Sequence, residues 1–414
     1  MYNLFFAFII LASTIDFRIP GLNYWDEALL IAVPLYYLVK TRKFSVRRDQ
    51  LTEWFAIIIF VAIGLVSNLL HPGLQDYPVA IWKDVIAAVK FPVLMVLLAK
   101  SRGAVKQEKI IHDAARMSKY ILWVMVLFAA VGYIADIGVY LPEIRIVKCY
   151  KFFFSHPTFL VSSIIMMTAV LIADGIKGNR VSLMIAALLI FMSGRTKGYI
   201  MIIPLLFIMY TDPVIVKRAF SFLHGRLRVK KRYILLGLLF VCAVVYMIGR
   251  KKVMGYMRWG LAAARPALYL VGLMLLKEYF PFGSGFGTFA SSISGEYYSN
   301  IYGKYHIDGV QGITRGNTNY IADTFPPYIY GQFGVVGAAA YVWMIGLTIR
   351  YQFRRLKSYN QILAFLFLWI YAIAACTAES FFTNTSGVQL AVVLSVFIGF
   401  ENPDKTEVDV EQNS

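Results

Sequence analysis

Apolar runs long enough to cross a membrane recur along almost the whole 414-residue chain. A bilayer offers no water to unpaired backbone groups, so runs of this kind must fold as helices. Only 15% of the residues are charged and 59% are hydrophobic, which is typical of a membrane protein. A β-barrel would need short segments of alternating polarity, and none are visible. The pattern predicts an all-α, polytopic membrane helical bundle.

The hydropathy pattern predicts about twelve transmembrane helices. Residues 181–193 and 198–211 are too short to cross about 30 Å of hydrocarbon squarely at about 1.5 Å per residue. They fit a pair of helices whose connecting loop dips into the membrane. The predicted spans are 3–15, 24–39, 54–70, 80–99, 119–138, 156–174, 181–193, 198–211, 232–249, 326–349, 361–377 and 386–400.

Basic residues cluster in alternate loops between these spans. If every predicted span crosses the bilayer, the clusters fall on one side, and the enrichment of Lys and Arg in cytoplasmic loops identifies that side as the cytoplasm. Both termini are then cytoplasmic, including the acidic tail 401–414. The basic clusters are at 40–48, 100–119, 177–180, 217–232 and 350–357.

The spans divide the chain into four parts. Residues 1–249 carry the first nine helices, residues 250–325 form a long outer loop, residues 326–400 carry the last three helices, and residues 401–414 form the tail. A loop of this length exceeds the usual connection, and such loops often carry function. Within it, residues 261–280 are apolar and form either a further span or an amphipathic helix that lies on or in the outer face of the membrane. The second is preferred, because a crossing there would place the basic cluster 350–357 outside.

The chain is strongly basic, with 41 Lys and Arg against 23 Asp and Glu and a formal net charge of +18. In a soluble domain this excess would indicate nucleic acid. Basic cytoplasmic loops and anionic lipid headgroups account for it in a membrane protein, so membrane lipid is the expected partner and nucleic acid is not. The three cysteines are widely spaced and form no metal-binding pattern. We expect no metal and no cofactor.

The sequence SGRTKG places Arg195 and Lys197 in a tight turn between two short apolar helices. Cations at such a depth are costly and usually have a partner. A bound anion explains the arrangement, because the planar fork of arginine suits the oxygens of a diphosphate. Positive charge is expected to be scarce on the outer side, yet the predicted outer loop also carries Arg250, Arg258, Arg265 and Arg315.

Two residues of the outer loop are candidates for proton transfer. Asp323 precedes an apolar span and is either an interfacial acid or the base that deprotonates a sugar hydroxyl. His306 is the only histidine in this loop, and is either an incidental surface residue or a second proton-transfer group. The ring of Tyr320 suits a sugar, although an interfacial aromatic belt has the same composition. Lys90 lies within a predicted span and either binds substrate or pairs with a neighbouring helix.

Residues 281–287 (PFGSGFG) form a glycine-rich turn that does not match a nucleotide-binding loop. No strand precedes the turn, and no Lys followed by Ser or Thr comes after it. The turn also lies in the predicted outer loop. The sequence therefore predicts no nucleotide site here.

Residues 190–340 resemble the Wzy-type polymerases of bacterial surface polysaccharide, which are related to the O-antigen ligases. The family's turn between two short helices is similar to SGRTKG at 193–198. Its outer-face segment is similar to RPALYLVGLMLLKEYFPFGSGFGTF at 265–289, and its return span to NTNYIADTFPPYIYGQFGVVGAAAY at 317–341. About twelve spans, cytoplasmic termini and one long outer loop also agree with this family.

The resemblance implies a metal-independent glycosyltransferase on the outer face of the bacterial cytoplasmic membrane. Its donor is a glycan on a polyprenyl diphosphate, and its acceptor is the sugar end of another lipid-linked repeat. Arg195 and Arg265 match the family's arginine positions and would neutralise the diphosphate leaving group. Asn319 and Tyr320, in the final motif, are assigned to substrate binding. A flippase and a chain-length regulator of the same pathway are the implied protein partners.

Three alternatives remain open. An O-antigen ligase would transfer the glycan to lipid A core, but ligases usually carry a His beside the Asn of the final motif, and neither Asn317 nor Asn319 has one. A lipid-linked oligosaccharide flippase should line a central cavity with charge and needs no long outer loop. Another lipid-dependent glycosyltransferase would use an acidic pair in the first outer loop, where Asp16, Asp26 and Glu27 are available.

Overall fold

The computed structural model describes residues 2–15, 25–41, 48–98, 107–144, 146–210, 254–255, 258–356 and 358–397. These residues are mostly helical, as the sequence predicts. They belong to two compact units. The first unit contains the described parts of 1–63, 83–206 and 338–414, and the second contains those of 64–82 and 207–337.

Fourteen α-helices and one two-stranded hairpin make up the regular structure of the described ranges. Two short 3₁₀ turns lie at Gly260–Ala262 and Phe381–Thr383. The elements are α1 (Tyr2–Ile15), α2 (Trp25–Thr41), α3 (Arg48–Leu70), α4 (Pro78–Leu98), α5 (Gln107–Ile134), β1 (Tyr140–Ile144), β2 (Lys148–Tyr150), α6 (Pro157–Asp174), α7 (Ile176–Met192), α8 (Thr196–Tyr210), α9 (Ala264–Glu278), α10 (Ser292–Glu296), α11 (Ile301–Lys304), α12 (Phe325–Phe353), α13 (Tyr359–Cys376) and α14 (Thr385–Phe397).

Five helices of the described chain are long and apolar enough to cross a membrane: α3 from Gln50, α5, α6, α12 and α13. Helices α8 and α14 are apolar but shorter, as is Phe5–Thr14 of α1. Eleven of the twelve predicted spans fall on a helix, and the remaining one, 232–249, lies outside the described residues. The structure therefore confirms a helical protein with several candidate membrane spans, and the count of twelve stays a prediction.

Several helices of the described ranges extend into stretches that the charge pattern assigned to loops, and α5 and α7 do so most. Helix α5 begins at Gln107, and α7 begins at Ile176, so Lys177 and Arg180 lie in its first turns. Hydropathy detects only the apolar part of a helix, whereas Lys, Arg and Glu are themselves good helix formers. The predicted loop boundaries were wrong for this reason.

An antiparallel hairpin of β1 and β2 occupies the predicted loop 139–155, which departs from an all-α description. The hydroxyl of Tyr140 donates to the carbonyl of Ala129 at 2.9 Å, and the hydroxyl of Tyr150 donates to the carbonyl of Met125 at 2.7 Å. These bonds fix the hairpin to the last turns of α5. The strands are too short for a hydropathy pattern to reveal them.

Helix α6 forms the centre of the first unit. Its side chains are buried on nearly every side, and it contacts α5, α7, α13 and α14. A helix that is apolar all round belongs in an interior. Hydrogen bonds join it to its neighbours: Ser163 donates to the carbonyl of Ile10 on α1 at 2.9 Å, and Ser162 donates to Oε1 of Gln389 on α14 at 3.3 Å. Polar side chains commonly link helices in membranes in this way.

The second unit contains the glycine-rich turn 281–287, whose backbone forms hydrogen bonds with side chains and with other backbone groups. Asn68 accepts a hydrogen bond from the Phe286 amide at 2.8 Å and donates one to the Phe286 carbonyl at 3.0 Å. Irregular backbone among membrane helices is tolerated where the protein supplies its partners. The other bonds are Gly285 N–H to the Gln332 carbonyl at 2.7 Å, Thr288 N–H to Gln332 Oε1 at 3.1 Å, Ser67 Oγ to the Gly283 carbonyl at 2.5 Å and Gln75 Nε2 to the Gly287 carbonyl at 2.6 Å.

Gly285 illustrates why this turn needs glycine. Its φ is +92°, and a Cβ atom built there would lie 2.6 Å from Cγ of Asn68. Backbone amides of the turn, those of Gly285 and Phe286 among them, already donate to groups of the protein. This is the opposite of a phosphate-binding loop, which keeps its amides for the ligand.

Candidate functional site

Arg265 and Asp323 lie 58 residues apart in the sequence and meet in the second unit. Nη2 of Arg265 donates to Oδ2 of Asp323 at 3.0 Å. The two side chains are 34% and 30% exposed, so a ligand can reach both. Arginine has five N–H donors, and the bond to Asp323 therefore leaves donors for an anion.

The packing of α9 on α12 brings this pair together. Arg265 lies in the first turn of α9, and Asp323 precedes α12, where the helix dipole favours a negative charge. The hydroxyl of Tyr330 on α12 donates to the carbonyl of Tyr269 on α9 at 3.0 Å. A Cβ atom at Gly272 would lie 2.6 Å from the ring of Tyr330, so glycine allows the close approach.

Burial raises the pKa of Asp323 above the usual value for aspartate, and the charge and hydrogen bond of Arg265 oppose this shift. A carboxylate with a raised pKa is a stronger base than a free aspartate. Asp323 can therefore accept a proton, and Arg265 beside it can bind an anion.

The loop that carries Asp323 also carries the predicted substrate-binding residues Asn319 and Tyr320, both exposed. The amide of Tyr320 donates to the carbonyl of Gly312 at 3.0 Å, and the amide of Asp323 donates to the carbonyl of Tyr320 at 3.2 Å. A Cβ atom at Gly312 would lie 2.1 Å from the Tyr320 ring. These contacts hold an aromatic ring, an amide and a carboxylate on one loop, which is a suitable set for binding a sugar.

The other predicted residues of the long loop do not form part of this ion pair. The guanidinium carbon of Arg315 lies 5.2 Å from the centre of the Tyr298 ring. His306 is exposed after α11 with a φ of +53°, a left-handed conformation that His adopts more often than most residues. Arg258 is exposed, and Arg250 lies outside the described residues. Their roles stay predictions.

In the first unit, the turn between α7 and α8 carries Arg195, whose side chain is 13% exposed. The turn has Gly194 at a φ of +69°, and the hydroxyl of Ser193 accepts a hydrogen bond from the Arg195 amide at 3.3 Å. A Cβ atom at Gly198 would lie 2.8 Å from Cγ2 of Ile190, so this glycine allows α8 to pack against α7. Nη2 of Arg195 lies 3.8 Å from Oε2 of Glu143, which is on β1.

Lys197 has a buried partner in the same unit. Its ammonium donates to Oε1 of Glu379 at 2.5 Å, and both side chains are buried. The ammonium also lies 5.5 Å from the centre of the Tyr371 ring. These contacts give Lys197 a role in holding the turn, while its role in substrate binding stays a prediction. Glu379 was not among the residues predicted from the sequence, although an acid between two apolar spans is a signal that a charged partner exists.

Lys90 also pairs inside the first unit. Its Nζ lies 2.6 Å from Oδ2 of Asp26 and 3.1 Å from Oε1 of Glu27, and Lys90 and Asp26 are buried. The pairing joins α2 to α4. This agrees with the interpretation that Lys90 pairs with a neighbouring helix. The same contacts engage two of the acids that a different lipid-dependent glycosyltransferase would require.

Within the described ranges, no group of three or more His, Cys, Asp and Glu side chains is placed to hold a metal ion. Comparison with known proteins finds no matching family model and no matching curated protein. The function must therefore be inferred from the chemistry of these sites and from the resemblance of residues 190–340.

Proposed function

We propose that this protein is a polymerase of bacterial surface polysaccharide. It transfers a glycan from polyprenyl diphosphate to the sugar end of another lipid-linked repeat on the outer face of the cytoplasmic membrane. The ion pair of Arg265 and Asp323 carries the proposal, because it joins a cation for the diphosphate to a base for the acceptor hydroxyl. The protein is then a multi-pass enzyme of that membrane with both termini in the cytoplasm.

The proposed reaction assigns one task to each member of the pair. Asp323 accepts the proton of an acceptor sugar hydroxyl, and the hydroxyl oxygen attacks the anomeric carbon of the donor. The bond from that carbon to the diphosphate oxygen breaks, and its electron pair leaves with the diphosphate. Donors of Arg265 stabilise the negative charge that grows on the leaving group. Arg195 is proposed, from its own match to the family turn, to bind diphosphate as well.

The proposal is tested in a strain that lacks the gene and carries one variant at a time. The measured quantity is the length of the polysaccharide that each variant makes. Arg265→Ala and Asp323→Asn should leave single lipid-linked repeats where wild type makes polymer, with the same amount of protein in the membrane. Arg265→Lys should retain partial activity, because lysine keeps the charge but loses the planar fork. The control is Arg354→Ala, on the predicted cytoplasmic side. Full-length polymer from Arg265→Ala would refute the assignment.

The glycans of the deletion strain separate the alternatives. Polymer of normal length that remains on the polyprenyl lipid would indicate an O-antigen ligase. Repeats held on the cytoplasmic face would indicate a flippase. A flippase would depend on a cation within a span, and Lys90 is the candidate. Its pairs with Asp26 and Glu27 already offset that charge within the protein.

A further inference from the structure

The stretch that contains α9 exposes large apolar side chains at both ends and along one face. Trp259 is 68% exposed and Phe280 is 69% exposed. On the helix itself, Leu273 is 54% exposed and Met274 is 45% exposed. Soluble surfaces rarely collect this much apolar area in so short a stretch, and a contiguous patch marks an interaction site.

The opposite face of α9 packs into its own unit, with Leu268, Val271 and Leu275 buried. The helix has 15 residues, and at about 1.5 Å per residue it is about 22 Å long. This is shorter than the hydrocarbon core of a bilayer, which is about 30 Å thick. A helix of this length with one apolar face outward suits a position along a membrane surface rather than across it.

The end of α9 is attached to two helices of membrane-spanning character. Phe280 is followed by Pro281, whose carbonyl accepts a hydrogen bond from the Val336 amide at 3.3 Å, next to the kink of α12 at Gly334. Ser67, near the end of α3, donates to the Gly283 carbonyl at 2.5 Å. Both α3 and α12 are candidate membrane spans. The segment that follows α9 is therefore held at the end of α3 and at the kink of α12.

Charged residues lie where the edge of a lipid layer would place them. Arg258 precedes Trp259, and Lys277 is exposed in the last turn of α9. Lys304 donates at 2.5 Å to Glu278, the last residue of α9. Long basic side chains can lay their apolar stems along a lipid surface and keep the charge in water. Tryptophan is enriched at the same level.

We propose that residues 258–280 bind the surface of one bilayer leaflet, with Trp259, Leu273, Met274 and Phe280 at the boundary of the acyl chains. Arg258 and Lys277 lie among the lipid headgroups. The occupant of this face is the bilayer itself rather than a second protein. The inference stands on the exposure and attachment of α9 and does not depend on the proposed enzymatic activity.

Depth-dependent fluorescence quenching in proteoliposomes tests this placement. An environment-sensitive fluorescent amino acid is introduced at Leu273, at Phe280 or at Asp308, an exposed control in the same unit. The vesicles are made of phosphatidylcholine and phosphatidylglycerol with nitroxide groups at known acyl positions. The probes at Leu273 and Phe280 should have blue-shifted emission and be quenched by shallow nitroxides, at a depth of about 5–10 Å. The Asp308 probe should be quenched only by an aqueous quencher.

Two results would overturn the proposal. Quenching of the Leu273 and Phe280 probes by the aqueous quencher, to the extent seen at Asp308, would place the helix in water. Protection from both quenchers would mean that protein covers the face, either a second copy or another partner. A labelled protein that unfolds in detergent at a lower temperature than wild type is replaced by one labelled at Met274 or Trp259.

Discussion

The ammonium of Lys197 lies 2.5 Å from a carboxylate oxygen of Glu379, and the two buried residues are 182 positions apart in the sequence. The pair joins the first turn of α8 to the segment that follows α13. Lys197 is also two residues from Arg195, so the carboxylate offsets one of two neighbouring positive charges. Arg195 has its own acid, with Nη2 3.8 Å from Oε2 of Glu143, so the bond to Glu379 stabilises the charge of Lys197.

Removing one member of this pair should destabilise the protein strongly. Glu379→Gln leaves the Lys197 charge buried without a counter-charge, which costs about 3–5 kcal/mol in comparable pairs. The matched control is Glu278→Gln, because the pair of Glu278 with Lys304 is nearly half exposed and should contribute about 1 kcal/mol or less. Unfolding in detergent, followed by tryptophan fluorescence, measures both. A double variant, Lys197→Met with Glu379→Gln, should recover part of the loss.

Gly285 should not tolerate a side chain. At a φ of +92°, with Asn68 2.6 Å from the position of a Cβ atom, Gly285→Ala introduces both backbone strain and a steric clash. We expect the backbone strain alone to lower the free energy of unfolding by about 1–3 kcal/mol. Gly303→Ala is the control, because nothing lies within 4 Å of its Cβ position in α11. Equal thermal stability of the two variants would contradict the role of this turn.

Asn68 should be required for the fold rather than for chemistry. Asn68→Leu removes both hydrogen bonds to the backbone of Phe286 and leaves its amide and carbonyl without these partners. Each unsatisfied buried group costs about 1–3 kcal/mol. Asn300→Ala is the control, since the bonds of Asn300 to Gly73 and Asp76 are exposed and water can replace them. Protein yield in the membrane and melting temperature should both fall for the Asn68 variant alone.

The pH dependence of activity should report on Asp323. Burial raises the pKa of this carboxyl and Arg265 lowers it, so Arg265→Gln should raise the pKa further. A base acts only when it is deprotonated, so wild-type activity should fall as the pH drops through this pKa. Wild-type polymerisation in proteoliposomes across a pH series measures this acid limb, and an infrared titration of the carboxyl in Arg265→Gln, which needs no activity, checks the direction of the pKa shift. The absence of an acid limb would identify a different base, with His306 the next residue to test.

The raised pKa of Asp323 affects stability in the direction opposite to activity, because a fall in pH lowers activity but favours the folded state. Because the folded protein raises the pKa of Asp323, the ionised carboxylate costs folding free energy at pH values above that pKa. The cost is relieved as the pH falls through the raised pKa and is absent below the ordinary value of 3.8. Asp323→Asn should therefore be at least as stable as wild type at neutral pH while it loses activity. A large loss of stability would mean that the ion pair is mainly structural.

Hydropathy located the helices because the bilayer imposes the same requirement on each of them, that apolar side chains cover a fully bonded backbone. It located their ends poorly, as at α5 and α7, because charged residues continue a helix beyond its apolar part. It did not reveal the hairpin of β1 and β2. The glycine-rich turn 281–287 was recognised as a turn, but its partners Asn68 and Gln332 are ordinary polar residues that no pattern singles out.

The residue types of the candidate site were visible in the sequence. Arg195, Lys197, Arg265 and Asp323 stand out because charge is scarce among apolar spans and costly within them. Their partners were not visible, since the sequence gives no distance between residues that are far apart. It therefore could not show that Arg265 meets Asp323, or that Lys197 pairs with Glu379.

The sequence by itself determined a mostly helical chain with several apolar helices long enough to cross a membrane, because the length and polarity of each apolar run depend on one helix at a time. The tertiary structure decided which charges meet, since an ion pair depends on how helices pack and which backbones approach closely. Gly272 shows the difference. In the sequence it is one more small residue in an apolar run, and in the fold it lets α9 lie against Tyr330 and so brings Arg265 to Asp323.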